Sequence, residues 1–133
     1  MFGSKSKEPT EIFLKNESLD LDSLPSLSRQ QLSKHNGVEI PKLYVAIKGL
    51  VYDVTENEKS YGPGKAYHKL VGKDVGRLLG LNRLQLKEEE DGRIPNTWDL
   101  SDLEEKQLKI VEDWIVFFKM RYPIVARIEE DHQ

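Results

Sequence analysis

Between Leu43 and Thr55 the chain carries its strongest constraint on fold. Leu43-Tyr44-Val45-Ala46-Ile47 and Leu50-Val51-Tyr52-Asp53-Val54-Thr55 are rich in β-branched and aromatic residues, and only Lys48-Gly49 separates them. Residues of these types fit a pleated, half-buried surface, and a two-residue joint containing glycine suits a tight antiparallel hairpin. The segment predicts two paired strands, and the other elements must be arranged around them.

Those other elements read mostly as helix. A short helix is predicted over Ser28–Lys34, capped by Ser26 or Ser28, with Gly37 just past its end. Two more short helices are expected at Tyr67–Val71 and Lys73–Leu79, broken around Gly72 and closed by Gly80. A long helix is predicted from Asp102 to Arg121. Leu103, Leu108, Val111, Trp114, Ile115 and Phe118 fall on one stripe along it, Ser101 and Glu104 read as a capping box at its start, and Pro123 ends it. Ile124–Ile128 then reads as a last strand. A small sheet with short helices and one long helix packed on it is an α+β fold. Residues 1–26 mix charged groups with serines and prolines and are expected to be a flexible lead-in, leaving 27–133 as the folded domain.

Composition narrows the function. A chain of 133 residues suits one domain, and its net charge of −3 argues against a nucleic-acid partner. With no cysteine, disulfides, thiolate metal sites, iron–sulfur clusters and cysteine nucleophiles are all excluded. No apolar run approaches the ~20 residues of a membrane-spanning helix, so no transmembrane segment is expected and the sequence predicts a soluble chain. The histidines, His35, His68 and His132, offer no i, i+4 pair for a helical zinc site. Glu88-Glu89-Glu90-Asp91 is a consecutive run whose like charges splay apart, so it reads as a solvated loop. No nucleophile elbow or phosphate loop occurs, and the chain is not expected to be an enzyme. Trp98 and Trp114 read as core or partly buried packing, Asp53 and Asp74 as turn or cap groups, and His35 as a partner for helix-end carbonyls.

One loop concentrates tyrosine and glycine: Tyr61-Gly62-Pro63-Gly64-Lys65-Ala66-Tyr67. Glycine permits close approach of backbone to a ligand, and Lys65, Lys69, Lys73 and Arg77 add cations nearby. On the residues alone, packing tyrosines and ligand-binding tyrosines both remain open.

Here a resemblance adds to the reading. Tyr44 to Thr55 resembles the strand pair of cytochrome b5-like haem/steroid-binding domains. Tyr61-Gly62-Pro63, Tyr67, Gly72-Lys73-Asp74 and Arg77, followed by Asp113-Trp114 and Arg121-Tyr122-Pro123-Ile124-Val125, resemble the membrane-associated progesterone receptor branch in order and spacing. The match runs from about residue 27 to 128. It implies a cytochrome b5-like α+β fold in which a small mixed sheet and short helices surround a ligand cleft. By motif position it implies haem b (iron protoporphyrin IX) as cofactor, with Tyr67 as the only protein ligand to a five-coordinate ferric iron. Tyr61, Lys73, Arg121 and Tyr122 would complete the cofactor-binding set, with Lys65 and Lys69 as further cations for the propionates and His68 as an alternative ligand. A hard anionic oxygen favours ferric iron, so the reduction potential is expected to be low. The chain departs from the branch at Lys65-Ala66, where Gly-Pro is usual, and at Val75-Gly76, where Ala-Ser is usual. The resemblance also implies the partners: haem, a sterol, haem mono-oxygenases of sterol metabolism, and a second copy joined through the open haem face. It implies a cytoplasmic location, peripheral to the endoplasmic reticulum membrane. The alternative reading is a haem-independent sterol- or protein-binding module using the same cleft.

Overall fold

The structure is a computed structural model that describes residues 8–83 and 96–129. His132 and the acidic run 88–91 lie outside the described residues. In chain order the elements are α1 (Glu11–Glu17), β1 (Ser26–Leu27), α2 (Arg29–Ser33), β2 (Tyr44–Ile47), β3 (Leu50–Asp53), α3 (Glu58–Tyr61), α4 (Gly76–Gly80), α5 (Glu105–Arg121) and β4 (Ile124–Ile128), with short 3-10 turns at Leu21–Ser23 and His68–Leu70.

The hairpin forms as its residues dictate. Tyr44 pairs with Asp53 and Ile47 with Leu50, and the joint places both Lys48 and Gly49 at positive φ, 53° and 85°. That double left-handed turn matches the twist of the two strands. A carboxylate fixes it from outside the hairpin: Asp74 accepts hydrogen bonds from the backbone N–H groups of Lys48, Gly49 and Gly76. Asp74 thus acts as the turn group its sequence context suggested. Asp53 acts likewise, accepting from the Thr55 N–H at 2.9 Å.

The sheet order is β1-β4-β3-β2. β4 pairs antiparallel with β3 and parallel with β1, so the sheet is mixed. Alternation along the strands sends side chains to two covered faces. Val45, Ile47, Tyr52 and Ile124 meet Leu78, Leu79, Val111 and Phe118 of α4 and α5. Ala46, Val51, Ala126 and Ile128 meet Leu32 of α2. α4 approaches α5 closely because position 80 is glycine: a Cβ there would lie 2.8 Å from Leu103 and 3.0 Å from Val111.

Three boundaries differ from the sequence expectation. α4 is shorter than the predicted Lys73–Leu79 helix at its start and runs through Gly80. Its left-handed residue is Asn82 (φ 58°), with Arg83 N–H returning to Leu78 C=O and Asn82 N–H to Leu79 C=O. The long helix begins at Glu105 rather than Asp102, because Ser101 and Asp102 are otherwise engaged: the Ser101 N–H binds Asp99 Oδ1 and the Asp102 carboxylate pairs with Arg77. The capping box falls one turn later, between Glu104 and Gln107. Of the predicted stripe, Val111 and Phe118 are buried, whereas Leu108, in the first turn, is exposed.

The largest correction concerns the lead-in. From residue 8 it is ordered, and α1 packs on α5. Asn16 is the reason. Its buried amide donates to the backbone oxygens of Lys119 and Tyr122, both at 3.0 Å, and its Oδ1 accepts the Ile124 N–H at 2.9 Å. These are backbone groups left over where α5 ends and β4 begins, and burying them unpaired would be costly. Thr10 adds a bond from its hydroxyl to Met120 C=O, and Lys119 pairs with Glu17. Asn16→Ala should therefore lower unfolding free energy by about 3 kcal/mol in urea denaturation, since it strands several buried backbone groups at ~1–3 kcal/mol each. Leu14→Ala, on the exposed side of the same helix, should change it by less than about 0.5 kcal/mol.

Candidate functional site

Three of the predicted site tyrosines come together. Tyr61 ends α3, Tyr67 opens the 3-10 turn, and Tyr122 caps α5. The Tyr61 ring centroid lies 6.0 Å from that of Tyr67 and 6.1 Å from that of Tyr122, the latter edge-to-face. Phe118 forms the apolar floor, 6.4 Å from Tyr61 and 5.2 Å from Tyr122. Tyr61 and Tyr122 are buried, whereas Tyr67 is 43% exposed. The cluster thus presents one phenol outward and holds two behind it.

Electrostatics separate these phenols. Burial pushes the Tyr61 phenol well above the usual tyrosine value. The neighbouring Tyr122, through its proximity and a hydrogen bond, and Tyr67 raise it further, while the Arg121 guanidinium pulls the other way. Arg121 lies over the Phe117 ring at 4.5 Å, so its charge stays at the rim of the cluster.

Lys73 is placed differently. Its ammonium turns back to the carbonyl of Lys69, at the end of the turn that Tyr67 opens, and burial lowers its pKa. Among the described residues no hydrogen bond or ion pair joins it to the tyrosines. Lys65, Ala66 and Lys69 are exposed.

The fold adds two contributors: Asn57, which sequence reasoning missed, and His68, which it offered only as an alternative ligand. Asn57 occupies the N-cap position of α3 but makes no capping bond. Its amide instead donates to the Tyr122 hydroxyl at 2.8 Å. Read locally, an asparagine before a short helix is simply a cap; only the fold reveals the partner 65 residues away. His68 is the second. Its Nδ1 lies 2.8 Å from the Tyr61 carbonyl oxygen. His35 behaves as expected, with Nδ1 3.0 Å from Gln31 C=O and its ring stacked on Tyr44. Trp98 is half-buried with the Arg29 guanidinium 4.2 Å over its ring, and Trp114 packs edge-on to Phe117 and Phe118. Among the described residues no group of three or more histidine or carboxylate side chains could hold a metal ion by itself.

Comparison with known proteins bears on family and fold. Residues 28–86 match the model of the "Cytochrome b5-like Heme/Steroid binding domain". The chain is 39% identical over 100 residues to "Probable steroid-binding protein 3" of Arabidopsis thaliana, covering 74% of this chain and 93% of that protein. The chain belongs to the cytochrome b5-like haem/steroid-binding family, in its membrane-associated progesterone receptor branch. Within that branch it is 36% identical over 104 residues to membrane-associated progesterone receptor component 2 of Rattus norvegicus, covering 76% of this chain but 45% of that protein. It is 34% identical over 98 residues to the cytochrome P-450 regulator dap1 of Schizosaccharomyces pombe, covering 74% of this chain and 59% of that one. The chain therefore spans about half the length of these two relatives. An Arabidopsis thaliana structure described as having a cytochrome b5-like fold superimposes with a TM-score of 0.66 at 36% identity, covering 80% of this chain and 93% of that chain. The family fold is the expected α+β architecture. No helix among the described residues is long and apolar enough to cross a membrane.

The raised Tyr61 value has a measurable sign. Because the folded pKa lies above the unfolded value of about 10, its contribution to stability is complete below pH 10 and is lost as pH rises toward the folded value. In an alkaline titration followed by tyrosinate absorbance, Tyr61 should ionise only as the fold opens. Tyr61→Phe should remove amplitude from that late phase and flatten the fall of thermal stability above pH 10.

Proposed function

We propose that the chain binds haem b, with the Tyr67 phenolate as the only protein ligand to a five-coordinate ferric iron, and serves haem handling or haem mono-oxygenases of sterol metabolism. The observation that carries this reading is the exposed Tyr67 phenol standing against buried Tyr61 beside a rim guanidinium. The donor set fits the group. Iron in a porphyrin would bring most of its donors with it, so a single outward oxygen would suffice where the described residues hold no cluster of three or more metal-binding side chains. Bound haem would supply a ferric centre with one open coordination face.

The chain's own residues divide the remaining tasks. Tyr67 would offer the oxygen, whose phenolate form the positive charge of ferric iron would stabilise, with the proton leaving to solvent. Tyr61, kept protonated by burial, offers a hydroxyl behind it that can stabilise the phenolate by donation. Asn57 and Tyr122 brace Tyr61 from the core side. Phe118 and Phe117 give an apolar floor that excludes water. Arg121 and Lys73 carry charge suited to the propionates, from α5 and from the end of the 3-10 turn respectively. The likeness to a cytochrome P-450 regulator supports a role beside mono-oxygenases, and the family's steroid-binding members support a sterol as a further ligand. This role places the chain in the cytoplasm, at the periphery of the endoplasmic reticulum membrane.

A haem titration followed by absorbance tests the reading. Wild type should give a saturable, high-spin ferric spectrum of the tyrosinate type, and Tyr67→Phe should lose that spectrum and weaken binding by more than about tenfold. Equal binding by both proteins would remove Tyr67 from the role. Absence of binding by wild type would leave a haem-free binding module on the same face.

A further inference from the structure

The Tyr67 ring lies against Tyr61, with centroids 6.0 Å apart, but is 43% exposed, so its backbone must supply much of the remaining restriction. The loop that leads to it supplies almost none. Pro63, Gly64, Lys65 and Ala66 are all exposed. Gly64, at φ 82°, has so much room that an added Cβ would meet no atom within 4 Å. The loop is held at its base instead. The Tyr67 N–H donates to Ser60 C=O at 2.9 Å, and the His68 N–H donates to Lys65 C=O at 3.1 Å. Across the same gap, the His68 imidazole Nδ1 stands 2.8 Å from the Tyr61 carbonyl oxygen. A carbonyl oxygen can only accept, so Nδ1 carries the proton. This bond reaches the Tyr61 backbone, whereas the hydrogen bond between Tyr61 and Tyr122 is made by the side chains.

We propose that His68 is a positioning residue for Tyr67: its imidazole latches the exit of the 61–67 loop to the entrance and so fixes where the Tyr67 oxygen stands. The proposal rests on the reading of Tyr67 as the ligand. It also reassigns His68 itself. Nδ1 is committed to the Tyr61 carbonyl, which leaves Nε2 as the only ring nitrogen open to iron, and the proposal has the residue act through its neighbour instead. A loop of exposed Lys65 and Ala66, without proline at its exit, gains from such a latch the restriction its own backbone lacks.

Two variants separate the latch from simple loss of a side chain. An asparagine amide nitrogen falls close to the place of Nδ1, whereas that of glutamine reaches toward Nε2. His68→Asn should keep the bond and His68→Gln should lose it. In the haem-free protein, amide hydrogen exchange at Tyr67 and His68 should quicken about tenfold in His68→Gln. Exchange should stay near wild type in His68→Asn, with the thermal midpoint of both variants close to wild type. In the haem-loaded protein, transfer of haem to an excess of apomyoglobin should be about tenfold faster for His68→Gln only. Wild-type exchange in His68→Gln would overturn the latch. Faster exchange with unchanged haem transfer would overturn the positioning role, and the spectrum of Tyr67→Phe decides separately whether Tyr67 is the ligand at all.

Discussion

Edge-to-face packing around Phe118 joins parts of the chain that are far apart in sequence. Its ring centroid lies 5.3 Å from Tyr52 in the sheet, 5.2 Å from Tyr122 at the end of α5 and 6.4 Å from Tyr61 at the start of the tyrosine loop. Trp114 and Phe117 close the ring from the helix side. Aromatic pairs in such geometry prefer defined angles as well as contact, so they fix orientation and not merely proximity. Through this one side chain the long helix reads the position of the sheet and passes it to the loop. The floor of the site is therefore continuous with the core rather than an addition to it.

Above that floor the phenols form a gradient. Tyr52 is wholly buried and its hydroxyl has no hydrogen-bond partner among the described residues; Tyr61 and Tyr122 are buried but hydrogen-bonded, and Tyr67 reaches solvent. Burial disfavours the phenolate most strongly where water is least available. Burial thereby confines Tyr52 and Tyr61 to hydroxyl chemistry, while Tyr67 is the phenol that solvent reaches. One residue type meets three environments because depth, and not sequence, distinguishes them.

Much of this was legible in the sequence, and the limits are instructive. The hairpin announces itself because β-branched and aromatic residues flank a two-residue joint, and α5 and β4 follow from periodicity and Pro123. Tyr61, Tyr67 and Tyr122 are legible through spaced motifs. The order of α1 is not, because it depends on one amide whose partners lie more than a hundred residues away; composition registers only a polar stretch. The start of α5 was displaced by a turn because two serine- and acid-containing candidates stood in succession, and the Arg77–Asp102 pair that decides between them is tertiary. Asn57 looks like a cap and His68 like an alternative ligand until the chain is folded, since each bonds an atom that local reading cannot place nearby.

The placement of β4 has a consequence for how the molecule comes into being. This strand stands inside the sheet, between β1 and β3, yet it follows all the other strands in sequence, and the α1 amide that waits for it is 108 residues upstream of its first residue. Contacts of such long separation make folding slow, because loop-closure entropy must be met before the pairing rewards it. During synthesis α1 precedes the helix it packs on, and β1 the strand it pairs with, by most of the fold. β3 presents an open edge until β4 has been made. The tyrosine cluster, which takes Tyr122 from the end of α5, is completed only after that helix has been made.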